Sequence, residues 1–546
     1  MKRSLLSLLT MLLLLGITSS PAAASASNSI MITVSQGAEG IRIDYGLPAP
    51  RTSLALGGDE GPWPSDRQTL QQPGLRLQDR VIKGDRPFRR VRLLVAPDTK
   101  DVDARYPVLT RVRGRGSVLF APYILPTGRY RLRVEIARGR YRTVPSREAE
   151  QGYVIVGQRP RRMGAFDALT DDRVLPQARE FLHERTRRLL AFYAAKLQSP
   201  PQSRPTIILL REDATEGHRG FRGDVTPNGV VVLRLRKEPP IAAAEEGSGQ
   251  ISGFLAHEMF HLWNSPRDDV GPGGAWLHEG AADYFSWLAV ASLWPGELSL
   301  ERSIQDALNK CMAFGGSRPI ANIPPSLRYA CGALPQWLVD LALRSRPGGR
   351  SDGFALWSQV LRGNNGVGGY RGSVGALAPE TVVLLDQFIG TGWDFAEVGR
   401  RTSSLGADVE VGPPHRQSLL FAASRALALS LCSSFGGAGH AREEYFFTVE
   451  SCGSLGSTVF LLDINAKNPM TAPQATYEEV RLACATGSVV LVRLRGGGGE
   501  EKRSVRCTTP VEPAYPDIRI RRALPIPTEP ALKPSASVRT REMAQW

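Results

Sequence analysis

From Asn28 to about Pro160, apolar residues fall in short alternating runs between glycine and proline turns, as in Arg90 to Val95 and Tyr153 to Val156. Alternation with a period of two puts one face of each strand in a core and the other in water. The stretch Arg129 to Ile136, RYRLRVEI, is typical: Tyr130, Leu132, Val134 and Ile136 alternate with charged residues. No helical stripe interrupts the pattern, so residues 27–162 read as a β-sandwich domain. The period changes near Met163. Ala178, Phe181, Leu182, Leu189, Leu190, Tyr193 and Leu197 make a helical stripe in a segment opened by Pro176. Strand-like Thr206 to Leu210 and Val230 to Leu235 follow, the second entered through the turn Pro227-Asn228-Gly229.

The stretch Pro239 to Gln250, rich in Ala, Glu and Gly, reads as a mobile connection, and helices dominate from Ile251 to about Ala396. Residues 163–403 therefore form a mixed domain. Beyond Ser403 strands return at Tyr445 to Val449, Thr458 to Leu462 and Ser488 to Leu494, making residues 404–508 a small β-rich module. Repeated prolines and charges in residues 509–546 leave little to bury and predict a loose tail. The expected fold class is multidomain α+β.

Lys2 and Arg3, the apolar run Leu5 to Ile17 and the small residues Ala22 to Ala26 have the form of a cleavable leader spanning residues 1–26, with Ala24-Ser25-Ala26 as the cleavage signal. The run is shorter than the roughly twenty residues a spanning helix needs. No later segment qualifies, since even Ser418 to Leu431 is broken by Arg425. The expected address is secreted or periplasmic, with no stable membrane span after the leader is removed.

Composition narrows this only slightly. At 546 residues the chain exceeds what one hydrophobic core organises. Its 42% hydrophobic and 22% charged residues exclude wholesale disorder. Loss of Lys2 and Arg3 lowers the formal charge from +15 to +13, an excess that favours anionic surfaces or acidic substrates. Nucleic acid is not an expected partner, because the basic residues are spread along strands rather than gathered with stacking aromatics. Six cysteines in an exported chain suggest disulfides. Short loops close most readily, which favours pairing in sequence order: Cys311 with Cys331, Cys432 with Cys452, Cys484 with Cys507. None of the six has zinc-ligand spacing.

The chemistry is concentrated in His257 to Phe285, HEMFHLWNSPRDDVGPGGAWLHEGAADYF, which holds three of the chain's seven histidines. Ser252 to Trp263 predicts a helix stopped by Asn264, Ser265 and Pro266. On it, His257 and His261 lie on one face about a turn apart, so their imidazoles converge on one metal ion. Glu258 then stands beside the ion without being forced to bind it. Two neutral nitrogen ligands, an open position and a nearby carboxylate are what a zinc-activated water requires. A second helix, Trp276 to Leu288, supplies Glu279 as third ligand. Asp283 shares its face and is placed to accept a hydrogen bond from the far nitrogen of a ligating histidine. His278 is expected to point away from the ion, into solvent or behind the ligands.

HEMFHLWN followed by WLHEGAADYF resembles the gluzincin zinc metallopeptidases, most closely their glycyl-aminopeptidase-like family. The later stretch Tyr329 to Arg344, YACGALPQWLVDLALR, is similar to that family's tyrosine-x-x-glycine helix. The resemblance covers roughly Met163 to Ser403. It implies that His257, His261 and Glu279 bind one Zn2+, that Glu258 is the general base, that Asp283 supports a ligand, and that Tyr329 donates its hydroxyl to the oxyanion. It also implies a thermolysin-like catalytic domain, with a short sheet whose edge strand lies along a peptide or protein substrate. No glycine-rich strand ending in glutamate, the group these aminopeptidases use to hold a free amine, is present; Gly223-Asp224-Val225-Thr226 stands instead, which leaves exopeptidase and endopeptidase both open. A second class of function is a catalytically inactive peptide-binding or scaffold protein of the cell envelope, in which the site is a relic. A structural zinc site normally has four protein ligands, and three candidates are visible here.

Overall fold

The computed structural model describes residues 29–57, 67–98, 106–212, 221–235, 248–264, 274–315, 319–324, 327–346, 351–363, 366–391, 395–441, 444–512 and 514–523. The expected leader lies outside them, as do residues 239–247 of the expected connection and residues 524–546 of the expected tail. The chain divides into two units. One ends at Arg162 and takes in Ala168–Arg173; the other holds Met163–Asp167 and everything from Val174.

In the first unit the alternating runs become two sheets. A seven-stranded sheet runs in the order Gln68–Leu70, Val81–Val95, Ile41–Ala55, Ile30–Gln36, Tyr130–Ala137, Arg140–Val144, with Leu75–Gln78 paired to Val81–Val95. A three-stranded sheet is formed by Tyr153–Val156, Gly116–Phe120 and Leu109–Val112. The alternation read in RYRLRVEI is kept, with Leu132 and Val134 buried and Arg131 and Arg133 exposed. The Tyr45 hydroxyl, itself buried, donates to the Ile124 carbonyl at 2.8 Å. One short helix, Ser146–Glu150, adds to the strands.

The second unit is mixed. Thr206–Arg211 pairs parallel with Val230–Leu235, and Phe221–Val225 is added antiparallel as the edge strand. The helix Pro176–Leu197 starts with its proline at the first positions, where the missing N–H costs nothing. The motif helix is Ser248–Asn264 and the second helix Ala275–Leu293; both extend beyond the ranges expected from periodicity. Three residues of the expected connection, Ser248 to Gln250, are therefore helical. The cause is tertiary: a Cβ on Gly249 would meet the Glu297 carbonyl oxygen at 1.9 Å, and Ser252 Oγ bonds to Glu297 at 3.0 Å. Glu297 also receives a bidentate pair of hydrogen bonds from buried Arg185, both 2.6 Å, whose guanidinium lies 4.0 Å from the Trp294 ring centre. This fixes the first turn of the motif helix.

The C-terminal stretch differs from expectation in two ways. Its antiparallel five-stranded sheet, Gly437–Ala441, Glu444–Thr448, Thr458–Ile464, Val489–Gly496 and Gly499–Arg506, shares its core with two helices, Arg416–Cys432 and Pro473–Thr486, so it is mixed rather than β-rich. The expected tail contains a strand, Pro516–Arg522, paired antiparallel with Asp408–Pro414. Ile518 and Ile520 are buried between exposed arginines, and Asn309 binds the Ile518 backbone through both its amide nitrogen and oxygen at 3.1 Å. Prolines and charges hid a strand with one apolar face. All six cysteines pair in sequence order. Among the described residues there are twelve α-helices, none long and apolar enough to cross a membrane.

The second helix meets Arg328–Ser345 backbone to backbone at Gly280 and Gly332. A Cβ on Gly280 would lie 2.0 Å from the Gly332 carbonyl carbon, and one on Gly332 would lie 2.1 Å from the Trp276 carbonyl oxygen. Gly280→Ala should therefore cost about 1–3 kcal/mol or more through overpacking and lower the midpoint of a thermal melt by several degrees. Gly372→Ala, on an exposed helical face with open space around it, should leave the midpoint unchanged or raise it slightly. Equal behaviour of the two variants would refute a close helix crossing.

Candidate metal centre

Each imidazole on the motif helix is held at its far nitrogen. His257 Nδ1 lies 2.8 Å from Asp283 Oδ1, and His261 Nδ1 lies 2.9 Å from Asn264 Oδ1. An acceptor at Nδ1 selects the tautomer with its proton there, leaving the Nε2 lone pair facing inward. The two Nε2 atoms stand 3.1 Å apart, and Glu279 Oε2 lies 3.3 Å from one and 3.4 Å from the other. Atoms bound at about 2.0–2.1 Å to one tetrahedral centre lie roughly 3.3–3.4 Å apart. The triangle fits a zinc ion. Among the described residues it is the one His/Cys/Asp/Glu group whose ligand atoms gather this closely.

The two helices that carry the triangle are tied behind it. The buried Tyr193 hydroxyl lies 3.0 Å from the Ala256 carbonyl and 3.3 Å from the Phe285 carbonyl, one on each helix. Asn264 Nδ2 donates to the His278 carbonyl at 2.8 Å, and His278 Nδ1 bonds back to the Asn264 carbonyl. His278 is thus 2% exposed and holds the helices together, rather than facing solvent as one expected alternative had it. Asn264 was read only as a helix stop. Its position three residues after His261, on the same helical face, was the available signal.

Glu258 is buried, and burial is the main reason its carboxyl is pushed above the usual range; His257 and His261 pull the other way. The edge strand closes over it. A Cβ on Gly223 would meet Glu258 Oε1 at 2.6 Å and Phe254 Cζ at 2.7 Å, so any side chain there would displace the carboxylate or the ring from its present place. Phe221 packs on Phe254 with ring centres 4.9 Å apart. The next residue, Asp224, bonds to the buried guanidinium of Arg234.

Around the triangle negative charge prevails. Burial opposes a charged His257, but its hydrogen bonds to the Asp283 and Glu279 carboxylates outweigh it and hold the imidazole well above its ordinary value. Burial likewise opposes the Glu279 carboxylate, and the two imidazoles outweigh it and hold the group well below the carboxylate range. A ring of carboxylates about two imidazoles asks for a cation. Tyr329 stacks on His257, with ring centres 5.7 Å apart and planes 25° from parallel. Burial around its hydroxyl, then the charges of Glu279, Glu258 and Asp283, keep the phenol protonated far above neutrality.

No protein-family model matches the chain, and no curated protein sequence does. Among solved structures it is similar to an aminopeptidase N family protein from Idiomarina loihiensis, with TM-score 0.57 and 10% identity over 90% of this chain and 98% of that one. It is also similar to an M1 zinc metallopeptidase from Deinococcus radiodurans, with TM-score 0.38 and 15% identity over 67% of this chain and 94% of that one. The first of these is a likeness of fold over nearly the whole chain.

Because Asn264 orients His261 from behind, Asn264→Ala should weaken zinc retention by about 10–100-fold, measured by competition with a chelator. Retention equal to the parent's would show that His261 is oriented without it.

Proposed function

We propose that the chain is an exported zinc-dependent metallopeptidase, holding one Zn2+ through His257, His261 and Glu279 and hydrolysing peptide bonds with Glu258 as general base. The observation that carries the proposal is the triangle of two Nε2 atoms and one carboxylate oxygen with edges of 3.1, 3.3 and 3.4 Å, with a buried carboxyl next to it in the chain. Three protein ligands leave a tetrahedral ion one position for solvent, as in catalytic rather than structural sites. Three disulfides and the leader-like N-terminus support the exported address.

Zinc, when bound, supplies Lewis-acid polarisation and makes a water acidic near neutral pH. Glu258 takes the proton of the attacking water; its upward shift suits a base that must hold that proton and then deliver it to the leaving amine nitrogen. Tyr329, protonated at working pH, donates its hydroxyl to the oxygen that gains charge as the carbonyl becomes tetrahedral. Asp283 and Asn264 hold the two imidazoles in register. The edge strand Phe221–Val225 offers its backbone beside Glu258, where an extended peptide pairs most simply.

The purified chain should contain about one zinc per molecule and hydrolyse peptides in a chelator-sensitive manner. Glu258→Gln should keep the metal but lose turnover by about 10²–10⁴-fold. His261→Ala should lose the metal itself. Comparing peptides with free and blocked N-termini separates exopeptidase from endopeptidase. Normal hydrolysis by Glu258→Gln would overturn the assignment of the base.

A further inference from the structure

The excess positive charge is not shared between the two units. Residues 27–162 and 168–173 hold 26 Lys and Arg against 15 Asp and Glu, whereas residues 163–167 and 174–546 hold 40 against 38. Within the first unit, the strand register lines part of the excess up on one face of the seven-stranded sheet. Asp44 is opposite both Arg92 and Thr33, and Thr33 is opposite Arg133, so one row across four strands begins and ends in arginine. The next row repeats this through Arg90, Gly46, Met31 and Arg131. Arg42 adds a fifth cation, and all five arginines are exposed. The opposite face of the same strands is the core, with Ile43, Val91, Val34 and Val134 at 0–1% exposure.

At about 4.8 Å between strands and about 7 Å between alternate residues, Arg90, Arg92, Arg131 and Arg133 mark the corners of a rectangle of roughly 14 by 7 Å. Asp44 is the one acid in these rows; it accepts from Arg92 at 2.8 Å and from Arg42 at 3.1 Å. Among the described residues Arg90 and Arg131 make no ion pair. Between the corners stand Asp44, Thr33, Gly46 and Met31, so the five arginines outnumber the single acid on this face. Arginine is also the cation best shaped for phosphate oxygens.

We propose that this face of the β unit docks on an anionic lipid surface, taking the phosphate groups of the lipid heads as ligands. A broad flat array suits a plane of charges better than a threadlike polyanion, which is ordinarily held in a groove with stacking aromatics. Tyr141, on the strand Arg140–Val144 beside Arg133, is already covered by that guanidinium at 5.2 Å. The proposal stands apart from the metal centre.

The test is sedimentation of the purified full chain with vesicles of phosphatidylcholine alone or mixed equally with phosphatidylglycerol. The chain should bind the mixed vesicles and not the neutral ones, and high salt should release it. At roughly fivefold in partitioning per cation, the pair Arg131→Gln and Arg133→Gln should bind about 25-fold less, and the pair Arg90→Gln and Arg92→Gln should fall similarly. Arg131→Lys with Arg133→Lys should retain most binding, with thermal melts matching the parent's throughout. Equal binding to neutral vesicles, parental binding by both glutamine pairs, or binding to a soluble acidic polysaccharide without binding to vesicles would each overturn the proposal.

Discussion

Two imidazole lone pairs and a carboxylate oxygen, held within 3.4 Å of one another, repel unless a proton or a metal cation lies between them. Everything near the triangle serves to keep that unfavourable grouping in place before the ion arrives. Asp283 and Asn264 fix which nitrogen of each imidazole is free. Tyr193, and Asn264 and His278 through reciprocal side-chain to backbone bonds, tie the two helices from behind. Arg185 and Glu297, an almost fully buried pair with short bidentate geometry, anchor the first turn of the motif helix. A buried pair of this kind adds little net stability beyond its desolvation cost, yet removing one partner leaves a stranded charge. Its contribution is to position.

Glu258 shows how packing sets chemistry. A carboxylate beside two imidazoles would ordinarily be pulled to low pKa, but burial dominates here and moves it upward. That burial depends on the edge strand, and the strand approaches because Gly223 has no side chain. A backbone detail of the sheet's edge strand therefore bears on the proton affinity of the proposed base. The same close-approach logic recurs at Gly280 and Gly332, where the absence of two side chains lets the ligand-bearing helix and the Tyr329 helix touch. Tyr329 can then stack on His257.

Much of this was legible along the chain, and what was not has a common cause. Spacing of four on a helix is a local rule, so His257 and His261 were readable together, and Glu258 with them. Glu279 and Asp283 followed because the next helix begins eleven residues after the first ends. Cysteine pairing followed from short loops. Asn264, Gly223 and His278 were misjudged or passed over because their roles depend on groups 14 to 35 residues away, as in the Asn264–His278 bonds and the contact of Gly223 with Glu258. The strand Pro516–Arg522 was hidden for a similar reason: its apolar face is only Ile518 and Ile520, and its partners, Asp408–Pro414 and Asn309, lie at least a hundred residues upstream. Periodicity reports a face only when the face is long.

Charge behaves the same way. A list of arginines along Val81–Val95 and Tyr130–Ala137 looks like an ordinary wet face, and each strand alone is one. The array appears only when register sets Arg92 level with Arg133 and Arg90 level with Arg131 across the two intervening strands. The unit with the metal centre is close to neutral in sum, 40 cations against 38 acids, and the negative potential at the triangle comes from the nearby carboxylates of Glu258, Glu279 and Asp283. Long-range field and local field are thus built in different parts of the chain. At physiological ionic strength charges more than about 8 Å apart are screened when exposed but far less when buried, so salt acts more strongly on the exposed arginine face than on the buried and half-buried carboxylates around His257 and His261.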